Sequence, residues 1–192
     1  MRIEEIRERR AKRVVFWSLL LSIAWPVALV LVWTMPFELA FYAGPLAILG
    51  WILSGIAGLV HAGIAFSQKA QRRAIAILIL PASALAAATD VNQLWDTSMK
   101  WGQYLHLAAV KSDYQRQVAQ MTGDGPKLAS FTWGRFVDVT QGVVYDESGE
   151  FGQKAEARSA AWNARAAGTL AACEVVDRLP AWDHFYVVRV VC

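Results

Sequence analysis

Three stretches of the chain consist almost entirely of apolar residues: residues 14–35, 41–66 and 74–91. The first two contain no Asp, Glu, Lys or Arg. At a rise of 1.5 Å per residue, a helix over either one would cross a hydrocarbon core of roughly 30 Å. The third is free of charged residues only over residues 74–89, and it reaches that length only if residues up to about 91 or 94 join the helix. The pattern predicts three transmembrane helices over these ranges.

The hydrophobic pattern changes after residue 90. Within residues 91–122, apolar side chains recur at three- and four-residue steps, as at Leu107, Val110 and Tyr114, and this spacing predicts a helix. The first part of the segment is both aromatic and polar. We therefore expect the helix to lie along the membrane–water interface or to form a stalk.

Residues 123–192 have the alternation of short β-prone runs and turn residues that is typical of a small soluble domain. A turn cluster, TGDGP, opens the segment, and short β-prone runs separated by turn residues follow. The predicted strands cover residues 128–133, 136–145, 169–176 and 185–191, and a predicted helix covers 154–167. The predicted fold class is an α-helical membrane region of three transmembrane helices, followed by a small α+β domain with about four antiparallel strands.

Lys and Arg alternate between the loops, and this alternation predicts a topology. Residues 1–13 hold six basic residues, the loop at 36–40 holds none, and the loop at 67–73 holds three. By the positive-inside rule, residues 1–13 form a cytoplasmic basic tail. Three crossings then place residues 123–192 outside the cytoplasm. The predicted location is the bacterial inner membrane, multi-pass, with a periplasmic C-terminal domain.

Composition agrees with this division, and charge narrows the possible partners. Apolar residues make up 56% of the chain and charged residues 18%, which suits a protein that is part membrane and part soluble. The formal net charge of +3 comes from the membrane half, because residues 111–192 hold nine basic and ten acidic residues. The C-terminal half has no basic stripe, and this absence argues against nucleic acid as a partner.

Small residues recur every fourth position in the second apolar stretch, at Gly50, Ser54, Gly58 and Ala62. This spacing places them on one stripe of a helix, where another backbone can approach closely. The stripe therefore predicts a helix-packing seam, against helix one, helix three or another copy of the chain. The alternative is that Gly and Ala are simply common in membrane helices.

The two cysteines, Cys173 and Cys192, both lie in the predicted periplasmic domain. If the last two strands pair in an antiparallel hairpin with Val175 opposite Val190, the two cysteines face each other. A disulfide is then sterically allowed, and the periplasm permits it. The alternative is a pair of buried free thiols that pack as small apolar groups.

Aromatic and acidic side chains in the C-terminal domain suggest a binding surface, with core packing as the alternative for the aromatic ones. No catalytic constellation, metal-ligand spacing or cofactor motif is recognisable in the sequence. The rival hypotheses are an envelope enzyme that uses the acidic loop and His184, and a small oligomeric transporter that uses the intramembrane His61. The predicted surface consists of Trp133, Tyr145, Asp146, Glu147, Glu150, Trp182 and His184.

Three segments resemble those of small, uncharacterised bacterial inner-membrane proteins: residues 142–150 (GVVYDESGE), 159–166 (SAAWNARA) and 184–191 (HFYVVRVV). The resemblance implies a few N-terminal helices and a C-terminal extracytoplasmic domain, and it implies no catalytic residues. The predicted function is protein interaction by a periplasmic domain, as in an immunity or accessory protein. The expected partners are the lipid bilayer and another membrane or envelope protein, or a second copy.

Overall fold

The computed structural model describes the backbone of residues 2–123 and 125–192, and within them all side chains except those of residues 2–5, 7 and 11. The predicted tail depends in part on the side chains of Arg2 and Arg7, which lie outside the described residues. The helices and strands are α1 (Arg2–Val32), α2 (Phe37–Ser67), α3 (Gln71–Thr89), α4 (Val91–Ala119), β1 (Leu128–Phe136), β2 (Val139–Asp146), α5 (Ala160–Ala166), β3 (Glu174–Pro180) and β4 (Phe185–Val191).

The predicted fold class is confirmed. Helices α1, α2 and α3 are long and apolar enough to cross a membrane, which suggests membrane association. The strands form a single antiparallel sheet in the order β1-β2-β4-β3. The chain divides into two compact units. We call Met1–Val32 with Tyr42–Met99 the helical unit, and Trp33–Phe41 with Lys100–Cys192 the mixed unit.

The helical unit packs small and medium side chains at its centre and leaves large apolar ones outside. One buried cluster contains Trp51, Leu80 and Ala84, and a second contains Ala62 and Ile77. The exposed side chains include Ile23, Leu46, Leu53, Ile75 and Leu85. Water disfavours such an outer surface, whereas lipid tails solvate it.

The mixed unit has three layers, with the sheet in the middle. Side chains alternate between the two faces of each strand, so neighbouring residues enter different cores. On one face, Leu107 of α4 packs against Val143, Phe185 and Val187. On the other face, α5 and the loops beside it bury Phe151, Trp162 and Leu170 against Val144, Val188 and Val190.

Two elements of the mixed unit differ from the prediction, both because of local capping. The predicted helix at 154–167 is reduced to a 3₁₀ turn, Ala155–Ala157, followed by α5, which begins after Ser159. The Ser159 hydroxyl oxygen accepts a hydrogen bond from the Trp162 amide at 3.1 Å. The predicted strand at 169–176 begins only at Glu174, because Thr169 caps a 3₁₀ turn over Leu170–Ala172.

Candidate binding cleft

An open cleft with a volume of about 540 Å³ lies in the mixed unit, where α4 meets the connection between β3 and β4. Its helical wall forms because residues three, four and seven positions apart share one face of α4. The volume is in the range of pockets that hold small ligands or a few side chains. The cleft is lined by Trp101, Tyr104, Leu105, Ala108, Pro180, Ala181 and Trp182.

Large apolar side chains of the cleft face solvent. Trp101 is 60% exposed, Leu105 47% and Trp182 45%. The Tyr104 hydroxyl donates to the Pro180 carbonyl at 3.0 Å and joins the two walls, and its ring lies 5.6 Å from that of Trp182. A contiguous exposed apolar patch of this kind is typical of an interaction site.

The charges at the rim of the cleft compensate each other. Lys111 Nζ lies 2.5 Å from Asp183 Oδ2 and 5.7 Å from the centroid of the Trp182 ring. Asp183 and His184 both have left-handed backbone, with φ of 51° and 68°. Such conformations are strained in residues other than glycine, and the tight turn between β3 and β4 holds them there.

The seven residues of the predicted binding surface do not form one surface, and Trp182 alone lines the cleft. His184 is exposed in the same turn, with its ring 6.2 Å from that of Tyr145. Trp133 is partly buried between the sheet and α4, and its indole N–H donates to Tyr114 Oη at 2.9 Å. Burial raises the pKa of Tyr114, and this indole N–H partly opposes the rise.

The placement of Asp146 on an exposed surface is wrong, because this carboxylate is fully buried. One oxygen accepts from the Ser148 amide at 3.0 Å and from the Ser148 hydroxyl at 2.6 Å. The other accepts from the Phe151 amide at 2.6 Å and from the Trp162 indole N–H at 3.1 Å. Asp146 therefore organises the loop after β2, since a buried carboxylate needs such donors.

The two glutamates of the acidic loop also bind neighbouring backbone. Glu147 accepts from the Lys127 amide at 2.8 Å. Glu150 accepts from the Ser159 amide at 2.6 Å and from its hydroxyl at 3.1 Å, immediately before α5. These contacts give the glutamates a structural role in holding the loop and the start of the helix.

The enzyme hypothesis relies on the acidic loop and His184, whose backbones meet where the Asp146 amide donates to the His184 carbonyl at 3.0 Å. The carboxylates of Asp146, Glu147 and Glu150 accept hydrogen bonds from donors in neighbouring loops. Across residues 2–123 and 125–192, no group of three or more His, Cys, Asp or Glu side chains is placed to hold a metal ion.

His61 lines a separate cavity of 290 Å³ in the helical unit. Its Nδ1 lies 2.8 Å from the Ala57 carbonyl oxygen, which can only accept, so Nδ1 is the donor of this bond. The other residues that line the cavity are not ionisable. A proton relay through His61 would therefore need a partner from elsewhere.

The small-residue stripe of α2 contacts both neighbouring helices of the same chain. A Cβ added at Gly50 would lie 2.5 Å from the Trp25 ring of α1, and one at Gly58 would lie 3.0 Å from Pro81 of α3. Ala62 is buried in a cluster with Ile77 of α3. The predicted stripe did not include Gly55, which also packs closely: a Cβ added there would lie 2.6 Å from the Ala84 side chain of α3.

Cys173 and Cys192 form a disulfide in the structure. Strands β3 and β4 pair antiparallel with Val175 opposite Val190, and this is the register that brings the cysteines together. The bond joins Cys173, the residue before β3, to Cys192, the residue after β4.

The sequence identified one side chain of the cleft and missed its helical wall. The signal for that wall was the spacing of Trp101, Tyr104, Leu105 and Ala108 along one face of α4. Comparisons of the chain with protein-family models, with curated proteins and with solved structures found no match. Fold and site together define a class: a helical unit suited to a membrane, followed by an α+β unit with an exposed aromatic cleft.

Proposed function

We propose that this chain is an integral inner-membrane protein whose periplasmic mixed unit binds another membrane or envelope protein through the aromatic cleft. The observation that carries the proposal is the exposure of Trp101, Leu105 and Trp182 around one cleft. Trp and Tyr are enriched where proteins bind each other, because they bury much apolar area with few rotatable bonds.

Four observations support the membrane location and its orientation. Helices α1 to α3 have the required length and composition, and the helical unit exposes large apolar side chains. The Lys and Arg residues favour a cytoplasmic N-terminus. The disulfide between Cys173 and Cys192 suits an oxidising compartment such as the periplasm.

The compensated rim favours an apolar protein segment as the occupant of the cleft. A lipid phosphate would require a free cation, but the charge of Lys111 is paired with Asp183. An aromatic or aliphatic side chain of a partner protein would instead cover the exposed rings of Trp101 and Trp182, and it would leave no buried charge unpaired.

Reporter fusions at the C-terminus test the topology. One reporter is active only in the periplasm and the other only in the cytoplasm. We expect activity of the periplasmic reporter and no alkylation of Cys173 or Cys192 in protein extracted without reductant. Activity of the cytoplasmic reporter would overturn the proposed orientation.

Site-specific photo-crosslinking in intact cells tests the role of the cleft. A photoreactive residue replaces Ala108, inside the cleft, or Val176, an exposed β3 residue outside it. We expect a discrete adduct with another protein only from position 108, and we expect Trp182→Ala to abolish that adduct. Loss of one aromatic anchor weakens an interface by roughly 2–4 kcal/mol. Adducts insensitive to Trp182→Ala, or adducts with a second copy alone, would contradict the proposal.

A further inference from the structure

Two arginine side chains converge on one point of the mixed unit, on the sheet face covered by α5. Arg158 Nη2 donates to the Phe151 carbonyl at 3.2 Å, and Arg178 Nη1 donates to the same oxygen. The two guanidinium groups lie 5.3 and 5.7 Å from the centroid of the Phe151 ring. Arg158 also lies 4.6 Å from the centroid of the Trp162 ring, so its position is fixed by aromatic contacts.

The positive charge of this guanidinium pair is not neutralised by a contacting carboxylate. In the described parts of the chain, neither Arg158 nor Arg178 forms an ion pair, whereas Arg116 and Arg189 do. Burial lowers the pKa of Arg158, and the charge of Arg178 lowers it further, against the opposing effect of Asp146 and Glu156. Two like charges held together in this way form an electrostatic site for an anion.

The two guanidinium groups carry more N–H donors than the neighbouring carbonyl groups accept. Each guanidinium carries five N–H groups, and the bonds to the Phe151 and Gln153 carbonyls use only part of them. Arg158 Nε is buried without a partner.

A tyrosine adds one more donor beside the pair. The Tyr186 ring lies 5.3 Å from that of Phe151. Its hydroxyl oxygen would be 3.1 Å from a Cβ added at Gly152, so this hydroxyl lies beside the backbone that follows Phe151.

We propose that Arg158, Arg178 and Tyr186 bind a phosphate group, carried by a lipid headgroup or by a free anion. Guanidinium groups match phosphate oxygens with paired N–H donors. A phosphodiester of a lipid offsets one of the two positive charges, and doubly charged inorganic phosphate offsets both. The site is independent of the aromatic cleft, because α5 and its loops cover this sheet face and α4 covers the other.

Isothermal titration calorimetry on the full chain, in a phosphate-free non-ionic detergent, tests the site. The probes are inorganic phosphate, short-chain phosphatidylglycerol and acetate. We expect phosphate-bearing probes to bind and acetate to bind at least about tenfold more weakly. Tighter binding of the lipid would identify a headgroup as the source, and tighter binding of inorganic phosphate a free anion.

The variants separate a binding role from a structural one. Arg178→Gln and Arg158→Gln should weaken phosphate binding by about 10- to 100-fold, the usual effect of losing a hydrogen bond to a charged group. Tyr186→Phe keeps the charge and the ring and should cause a smaller loss. Arg116→Gln removes one exposed arginine of α4 and should have no effect.

Absence of phosphate binding in the wild-type chain would overturn the proposal, and so would equal binding of acetate. Unchanged affinity in both Arg158→Gln and Arg178→Gln would also overturn it. If either glutamine variant fails to fold, judged by near-ultraviolet circular dichroism, Tyr186→Phe and Arg178→Lys decide: unchanged affinity in both contradicts the site.

Discussion

Removal of the Asp146 carboxylate should destabilise the mixed unit more than removal of any exposed carboxylate. In Asp146→Ala, the Phe151 amide and the Trp162 indole N–H, now 2.6 and 3.1 Å from the carboxylate, lose their acceptor inside the protein. A hydrogen bond to a charged group contributes roughly 1.5–3 kcal/mol, so these two together give about 3–6 kcal/mol. Small domains are stable by only about 5–15 kcal/mol in total.

Hydrogen exchange measured by mass spectrometry on the detergent-solubilised chain can detect this loss within one unit. At about 1.4 kcal/mol per tenfold change, protection of the strands should fall by roughly 100- to 10,000-fold. Peptides from residues 42–67 of α2 provide an internal reference, since these residues belong to the helical unit. Asp146→Asn should show a smaller loss of the same sign, because its amide keeps one acceptor oxygen.

Glu156→Ala is the matched control, because it removes an exposed carboxylate from the same region. Its strand protection should match that of the wild type. If Asp146→Ala loses no more than about 1 kcal/mol, or no more than Glu156→Ala, the assignment of Asp146 as the organiser of this loop is refuted.

Two further predictions concern packing and pH. Gly50→Leu should destabilise the detergent-solubilised helical unit by about 1–3 kcal/mol, because the new side chain would overlap the Trp25 ring. Gly63→Leu is the control and should not destabilise it, because a Cβ at Gly63 has no neighbour within 4 Å. Equal thermal midpoints for the two variants would contradict this prediction. The raised pKa of Tyr114 means that the folded state holds this proton more tightly than the unfolded state, so stability is intact below about pH 10 and falls as the pH rises further. Urea unfolding between about pH 9 and 11 should show this decline of stability in the wild type and a weaker decline in Tyr114→Phe. The variant should be less stable at every pH, because the Trp133 N–H loses its acceptor. Parallel declines in the two proteins would exclude Tyr114 as the cause.

The residues of the cleft show why a site is harder to predict than a fold. Trp182 could be chosen from the sequence because it is an aromatic residue in a turn. Its neighbours in the cleft come from a distant part of the chain, and the hydrogen bond from Tyr104 to Pro180 joins residues 76 positions apart. No local pattern records that contact, which depends on how α4 packs on the sheet.

Asp146 is a second case in which the environment decided the role. Its position in a loop rich in acidic residues indicated solvent exposure, because isolated carboxylates are costly to bury. The structure supplies four donors, two of them from Phe151 and Trp162, and so removes that cost. Without those donors, the same residues would form a turn in which the Asp146 carboxylate is exposed to solvent.

The sequence by itself determined the three apolar helices and the short strands of the C-terminal half. These features follow from helical length, from side-chain alternation and from turn residues, all of which are properties of neighbours along the chain. Tertiary structure alone decided that the α2 stripe contacts both α1 and α3, and that Arg158 and Arg178 meet at Phe151. Such contacts depend on packing between elements far apart in the chain, where the shape and charge of every neighbour act together.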